Sequence, residues 1–86
     1  MDKSWNTVII NEFEKLIYNT DSSTSNYKFK IISYKKVISI INQLDFEIIE
    51  PKQLKDIKGI GKSTLEKIDI ILKNGRLNFE SDNSNS

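Results

Sequence analysis

At 86 residues, 37% of them hydrophobic, the chain has the size of one small domain and is too short for a complete polymerase or ligase. It contains no Cys and no His, which excludes thiol catalysis, disulfides and the usual zinc sites. The net charge is only +1, but residues 28–76 hold 11 Lys and Arg against 6 Asp and Glu, a net charge of +5, while residues 1–27 and 77–86 each carry −2.

A basic segment between two acidic ends suits an anionic partner such as a nucleic acid. A solvated, Lys-rich surface explains the same charge equally well, so the charge needs a motif to support it. No apolar run approaches the roughly 20 residues that a bilayer span needs, and residues 1–4 lead into an amphipathic segment rather than a signal-type one. We therefore expect no membrane partner and an intracellular protein of unknown compartment.

The first two predicted elements are amphipathic helices separated by a polar loop at residues 21–26. The first helix is predicted over about residues 4–19 from apolar residues at three- and four-residue steps: Trp5, Val8, Ile9, Phe13, Leu16 and Ile17. The second is predicted over residues 27–44 from Ile31, Tyr34, Val37, Ile38, Ile41 and Leu44. The pairs Ile31-Ile32 and Ile40-Ile41 also suit strands, but the 18-residue length and the lack of period-two alternation favour a helix.

Two shorter helices are predicted next. Pro51 suits the first turn of a helix, so residues 50–57 predict a third helix that ends before Gly59. Residues 63–73 predict a fourth helix, with Asn74-Gly75 as its C-terminal stop. Residues 1–79 therefore predict an all-α, small four-helix domain, and residues 80–86 a flexible tail or linker.

The most informative stretch runs from Leu54 to Leu65, LKDIKGIGKSTL, in which Gly59 and Gly61 flank Ile60 between two predicted helices. The glycines permit a tight turn and a close approach to another surface, while Ile60 fills the space between the helices. The next helix then begins with unpaired N–H groups that can bind a phosphate oxygen without reading base identity. Three lysines add positive charge there: Lys55, Lys58 and Lys62.

A glycine-capped turn between two ordinary helices would explain the Gly-x-Gly pattern alone. The surrounding apolar positions, Leu54, Ile57, Ile60 and Leu65, favour a DNA-binding hairpin. This stretch resembles the helix-hairpin-helix element. Over about residues 5–79 the chain also resembles the amino-terminal lyase domain of family X DNA polymerases, the DNA polymerase beta-like group. That resemblance rests on residues 34–36 (YKK), 54–61, 65–69 (LEKID) and 72–77 (LKNGRL).

The resemblance implies a role in base excision DNA repair. Such a domain binds the 5′-phosphate at gapped DNA and removes 5′-deoxyribose phosphate through a lysine Schiff base and β-elimination. It implies Lys67 as the nucleophile, Glu66 as a neighbouring acidic residue and Tyr34 as a tyrosine that organises the site. A polymerase domain would follow in the full-length protein. This chain has no resemblance to the carboxylate cluster of nucleotidyl transfer, so we expect no polymerase activity from it alone.

The resemblance also implies Lys30 and Lys55 as lysines that contact the phosphate. The hairpin residues Gly59, Ile60, Gly61, Lys62 and Ser63 complete the predicted DNA- and phosphate-binding set. A monovalent cation (Na⁺ or K⁺) is implied at the backbone carbonyls of Lys55, Ile57 and Ile60, and no cofactor for the lyase step. Two positions depart from the family: a phosphate-binding lysine falls on Ser63, and a histidine that stacks on a base falls on Phe29.

A lysine attacks a sugar aldehyde only as the neutral amine, and a partly desolvated stem favours that form. On the fourth helix Lys67 lies beside the apolar stripe of Leu65, Ile68 and Leu72, which allows such burial. Periodicity alone would make Lys67 a surface lysine and Tyr34 a core residue. Only the resemblance assigns them catalytic roles.

Three functions therefore remain open. The first is a lyase acting on 5′-deoxyribose phosphate at an incised abasic site. The second is a non-enzymatic module that binds DNA gaps or single strands and tethers a polymerase domain, which the serine at position 63 favours. The third is a protein-interaction bundle whose lysines are only solvated.

Overall fold

The computed structural model describes residues 4–77, which form three α-helices and one short 3-10 helix, with no strand in this range. The elements are α1 (Trp5–Asn19), α2 (Tyr27–Asn42), the 3-10 helix (Pro51–Leu54) and α3 (Lys62–Asn74). The all-α prediction is confirmed, but only three of the four predicted helices are α-helices. The predicted tail at 80–86 lies outside the described residues, as do residues 1–3 and 78–79 of the predicted domain.

The predicted third helix over residues 50–57 is replaced by a single 3-10 turn. It begins as expected, with Pro51 in its first turn and a capping box between Glu50 and Gln53. The amides of Ile57 and Ile60 then donate to the carbonyls three residues back, of Leu54 and Ile57. Leu54, Ile57 and Ile60 share this three-residue spacing, which aligns side chains on a chain of i to i+3 turns. Leu54 and Ile60 are buried in the core and Ile57 is half-buried against it, and this packing favours the tighter geometry over an α-helix.

The ends of the α-helices follow local hydrogen bonding. Ser4 caps α1 by accepting the N–H of Thr7 at 3.2 Å. Helix α2 ends two residues before the predicted Leu44, whose N–H bonds the carbonyl of Ile41 in a tightened last turn. Gly75 ends α3 with a left-handed φ of 82°, which confirms the predicted stop.

The core lies where α1 packs against both α2 and α3, while the 3-10 helix packs against α3. Every element contributes buried residues: Ile9, Phe13, Val37, Ile41, Ile48, Leu54, Ile60, Ile68, Ile71 and Leu77. This arrangement leaves an open groove between α2 and α3. None of the helices within residues 4–77 is long and apolar enough to cross a bilayer.

Two polar residues of α1 hold distant parts of the chain. The Asn6 amide donates to the carbonyl of Phe46 and accepts the N–H of Ile48, both at 2.8 Å, so it fixes the segment before the 3-10 helix. Glu12 is only 5% exposed and accepts the N–H of Leu77 at 3.0 Å, which ties the chain after α3 to α1. Its other oxygen accepts the ammonium of Lys15 at 3.1 Å, so the buried carboxylate is fully engaged.

Candidate functional site

A cleft of about 620 Å³ opens between the first half of α2 and the first two turns of α3. Helix α2 and its N-cap contribute Asn26, Phe29, Lys30, Ser33 and Tyr34. Helix α3 contributes Ser63, Thr64 and Lys67. The structure thus brings together four of the predicted site residues: Lys67, Tyr34, Lys30 and Ser63.

Lys67 is half-buried, and its ammonium donates to the Ser63 hydroxyl at 3.2 Å. The two residues are one helical turn apart, so the hydrogen bond holds the amine toward the start of α3 and within the cleft. The position that would hold a phosphate-binding lysine in the resembled family therefore here supplies an acceptor for the predicted nucleophile.

Tyr34 lies between the core and the cleft. Its ring meets Phe13 edge-on, with the ring centroids 6.0 Å apart, while part of the side chain lines the cleft. Burial raises the pKa of the Tyr34 hydroxyl above its usual value near 10. The hydroxyl is therefore neutral at physiological pH and suited to donate a hydrogen bond to a substrate oxygen.

This raised pKa predicts a pH dependence of stability. The unfolded chain loses the Tyr34 proton near pH 10, whereas the folded protein loses it only at a higher pH. The contribution of Tyr34 to the unfolding free energy is therefore fully present below pH 10 and is lost as the pH rises through the folded-state pKa. We expect the unfolding free energy of the wild type to fall more steeply above pH 10 than that of Tyr34→Phe. Urea unfolding of both proteins over a pH series measures this, and parallel curves would contradict it.

The hairpin glycines have different roles. Gly59 has φ of 95°, and a Cβ atom there would lie 2.7 Å from Cδ1 of Ile40, so this glycine lets the turn pack closely against α2. Gly61 has φ of −96° and nothing within 4 Å of where its Cβ would be. Ile60, between them, is buried in the core as predicted. The open face of the hairpin is therefore at Gly61.

Gly61 is also the N-cap of α3, and as a glycine it supplies no side chain to cap the helix. The first turn of α3 contains no acidic residue and begins with Lys62. Open amides, the positive end of the helix dipole and an adjacent ammonium together favour an anion at this position. The cleft residues Ser63 and Thr64 belong to the same turn, so the first turn of α3 continues into the cleft.

Not all predicted site residues meet at the cleft. Glu66 and Lys62 line a second cleft of about 430 Å³, together with Glu50, Pro51, Lys52, Leu65 and Asp69. On an α-helix adjacent residues differ by about 100° in direction, which explains why Glu66 and Lys67 reach different clefts. Lys55 is exposed just after the 3-10 helix and lines neither cleft.

The three carbonyls expected to hold a cation lie in the hairpin turn. The carbonyl of Ile57 accepts the N–H of Ile60 at 3.3 Å and keeps a second lone pair, whereas those of Lys55 and Ile60 accept no hydrogen bond from residues 4–77. The described side chains offer no cluster of three or more His, Cys, Asp or Glu that could bind a metal. Main-chain oxygen is a suitable donor for Na⁺ or K⁺, so the residues present fit such an ion.

Most lysines around the hairpin and cleft form no ion pair with a carboxylate of the described residues. Within residues 4–77 the only ion pairs join Lys15 to Glu12 and Lys73 to Asp69. The lysines at positions 30, 58, 62 and 67 therefore have no carboxylate of the described residues within 4.0 Å.

The sequence analysis assigned no role to Lys36, although its side chain lies over Gly59. The only sequence sign of it was its place in the YKK segment.

The comparisons with known proteins agree with this architecture. A family model described as a helix-hairpin-helix domain matches residues 4–77, the same range that the structure describes. The comparison with curated proteins and the comparison with solved structures found no match. The matched range includes the 3-10 helix, the glycine turn and α3, so the chain belongs to the helix-hairpin-helix domain family.

Proposed function

We propose that this domain binds the backbone of gapped DNA through its hairpin and removes 5′-deoxyribose phosphate in the adjacent cleft. DNA binding is supported by the family to which the chain belongs. The lyase activity rests on one observation above all: Lys67 is half-buried in a cleft that also holds Tyr34 and Lys30 and that begins at the first turn of α3.

The hairpin would bind phosphate oxygens of the DNA backbone. The open main chain at Gly61 allows close approach, and the uncapped amides of α3 donate to the phosphate. Lys58 and Lys62 flank this position in sequence and are exposed, so they add charge without selecting bases. Carbonyls of Lys55, Ile57 and Ile60 would hold a monovalent cation, which supplies positive charge next to the same phosphate.

The cleft would carry out the elimination. The neutral amine of Lys67 attacks the C1′ aldehyde of the opened sugar, and loss of water forms the imine. A nearby base or water then takes a C2′ proton, a C2′–C3′ double bond forms and the C3′–O bond breaks, which releases the DNA strand with its 5′-phosphate. Hydrolysis of the imine frees the amine and the unsaturated sugar phosphate. Lys30 would bind the sugar's phosphate, and Tyr34 would donate to a sugar oxygen.

The alternative is a non-catalytic module that binds DNA and tethers a polymerase domain. Two observations favour it: Ser63 replaces a phosphate-binding lysine, and Glu66 lines the other cleft rather than that of Lys67.

Sodium borohydride separates the two functions, because it reduces an imine to a permanent protein–DNA link. Incised abasic DNA is the substrate, and the same DNA with its sugar already reduced is the control. Trapping only on the first supports the lyase, and salt-dependent binding without trapping supports the module.

Gly61→Val should weaken DNA binding by about 10–100-fold, the range expected when charge-assisted hydrogen bonds from the backbone are blocked. The space around Gly61 and its extended φ should let the fold accept valine. The control is Lys73→Ala, which removes a lysine already paired with Asp69 at 3.3 Å, about 16 Å along α3 from Lys62. Fluorescence anisotropy on gapped DNA measures both. A larger loss from Lys73→Ala, with both proteins folded, would contradict the hairpin contact.

A further inference from the structure

One face of α2 connects the cleft to the hairpin. Phe29, Ser33, Lys36 and Ile40 recur at steps of four, three and four residues, so they share one side of the helix. Phe29 and Ser33 line the cleft, and Ile40 lies against the hairpin at Gly59. Lys36 is the residue between these two ends.

Lys36 lies directly over the hairpin turn. A Cβ atom at Gly59 would be 3.3 Å from Cε of Lys36 and 3.9 Å from its Cδ, so the last methylene groups of this side chain cross the turn. The ammonium is one bond further and therefore stands beside the hairpin. The residue is exposed and has no carboxylate of residues 4–77 within 4.0 Å. Its position and charge are those of a phosphate contact.

We propose that Lys36 binds the DNA backbone and that the cleft and the hairpin are the two ends of one continuous track for a single DNA strand. From Phe29 to Lys36 the helix rises about 10 Å, which is the length of DNA axis that about three nucleotides of one strand occupy in a duplex. An exposed aromatic ring thus begins the track, since Phe29 is 73% exposed, and a lysine over the hairpin ends it. This inference rests on the proposed function only in requiring that the hairpin faces DNA.

The neighbouring Lys35 provides a matched control. It has the same charge, is also exposed and lies on the same helix, but points about 100° away. It lines a separate groove between α1 and α2 with Glu14 and Ile17. If DNA is attracted only by the overall positive charge, the two lysines are equivalent. If the strand follows the track, only Lys36 contacts it.

The experiment compares Lys36→Gln, Lys36→Arg and Lys35→Gln on gapped DNA with a 5′-phosphate, over a series of KCl concentrations. Losing one phosphate contact should lower affinity about 5–10-fold near 0.1 M salt and reduce the salt slope by about one for Lys36→Gln. Lys35→Gln should change affinity less than about twofold, and Lys36→Arg should restore binding. Thermal unfolding of each variant checks that the fold is retained.

A second measurement tests the length of the track. Wild-type protein should bind 5′-phosphorylated single strands of six nucleotides more tightly than strands of two, and Lys36→Gln should lose this preference. Equal losses from Lys35→Gln and Lys36→Gln, or no loss from either, would overturn the track while leaving wild-type DNA binding intact. Absence of DNA binding by the wild type would overturn both this inference and the proposed function.

Discussion

Replacing Lys67 by alanine should abolish borohydride trapping on incised abasic DNA while most DNA affinity remains. The imine cannot form without the amine, so the trapping rate should fall by more than about 10³-fold, the scale of loss when a covalent nucleophile is removed. Affinity should stay within about tenfold of the wild type, because the proposed phosphate contacts are spread over the hairpin, Lys30 and Lys36. Gel analysis of the trapped complex and anisotropy on the same DNA measure the two effects.

Two controls separate chemistry from charge. Lys67→Arg keeps the positive charge but not an amine that forms the imine, so it should retain affinity and lose trapping. Lys73→Ala removes a lysine from the same helix, outside the cleft, and should trap normally. Equal trapping by wild type and Lys67→Ala would show that another amine forms the imine. A parallel loss of binding and trapping would make Lys67 a DNA contact rather than the nucleophile.

Replacing Gly59 by alanine should destabilise the fold by about 2–4 kcal/mol. The φ of 95° costs an alanine about 1–3 kcal/mol of backbone strain. The added methyl group would lie 2.7 Å from Cδ1 of Ile40, so that side chain must move, which adds about 1 kcal/mol or more. For a domain of this size the loss is a large fraction of a total stability of about 5–15 kcal/mol.

Gly61→Ala is the matched control, since its φ of −96° is normal for alanine and the added methyl group meets nothing within 4 Å. Urea unfolding should show little change for Gly61→Ala, within about 0.5 kcal/mol of the wild type. Similar destabilisation by the two substitutions would contradict the division between a glycine needed for packing and a glycine open to DNA. Their DNA affinities, measured where both are folded, should show the reverse order.

Much of the fold was predictable from local patterns. The three- and four-residue spacing of apolar side chains gave α1, α2 and α3 to within two residues at each end. Pro51 and Gly75 marked a helix start and a helix end, and the Gly59–Ile60–Gly61 turn marked the hairpin. These features depend on backbone preferences of a few neighbouring residues, which is why one sequence was enough to find them.

Interactions across the chain were not predictable in this way. Asn6 lies outside the apolar pattern that predicted α1, yet it holds residues 46 and 48 by two hydrogen bonds. Glu12 is among the core residues because it accepts the N–H of Leu77, 65 residues further along the chain. No local sequence pattern indicates a hydrogen-bond partner at that distance along the chain. The 3-10 helix was missed because packing of Leu54 and Ile60 into the core, with Ile57 half-buried beside them, outweighed local helix preference.

The sequence by itself determined an all-helical chain with a glycine hairpin and a basic central segment, because helix periodicity, turn residues and charge depend only on residues that are close together in the sequence. Only the tertiary structure decided which lysines share a surface. It placed Lys67 with Tyr34 and Lys30 in one cleft, turned Glu66 toward another, and laid Lys36 over Gly59. The reason is geometric: a rotation of about 100° per residue assigns adjacent side chains to different faces, and only the packing of α1, α2 and α3 determines what each face meets.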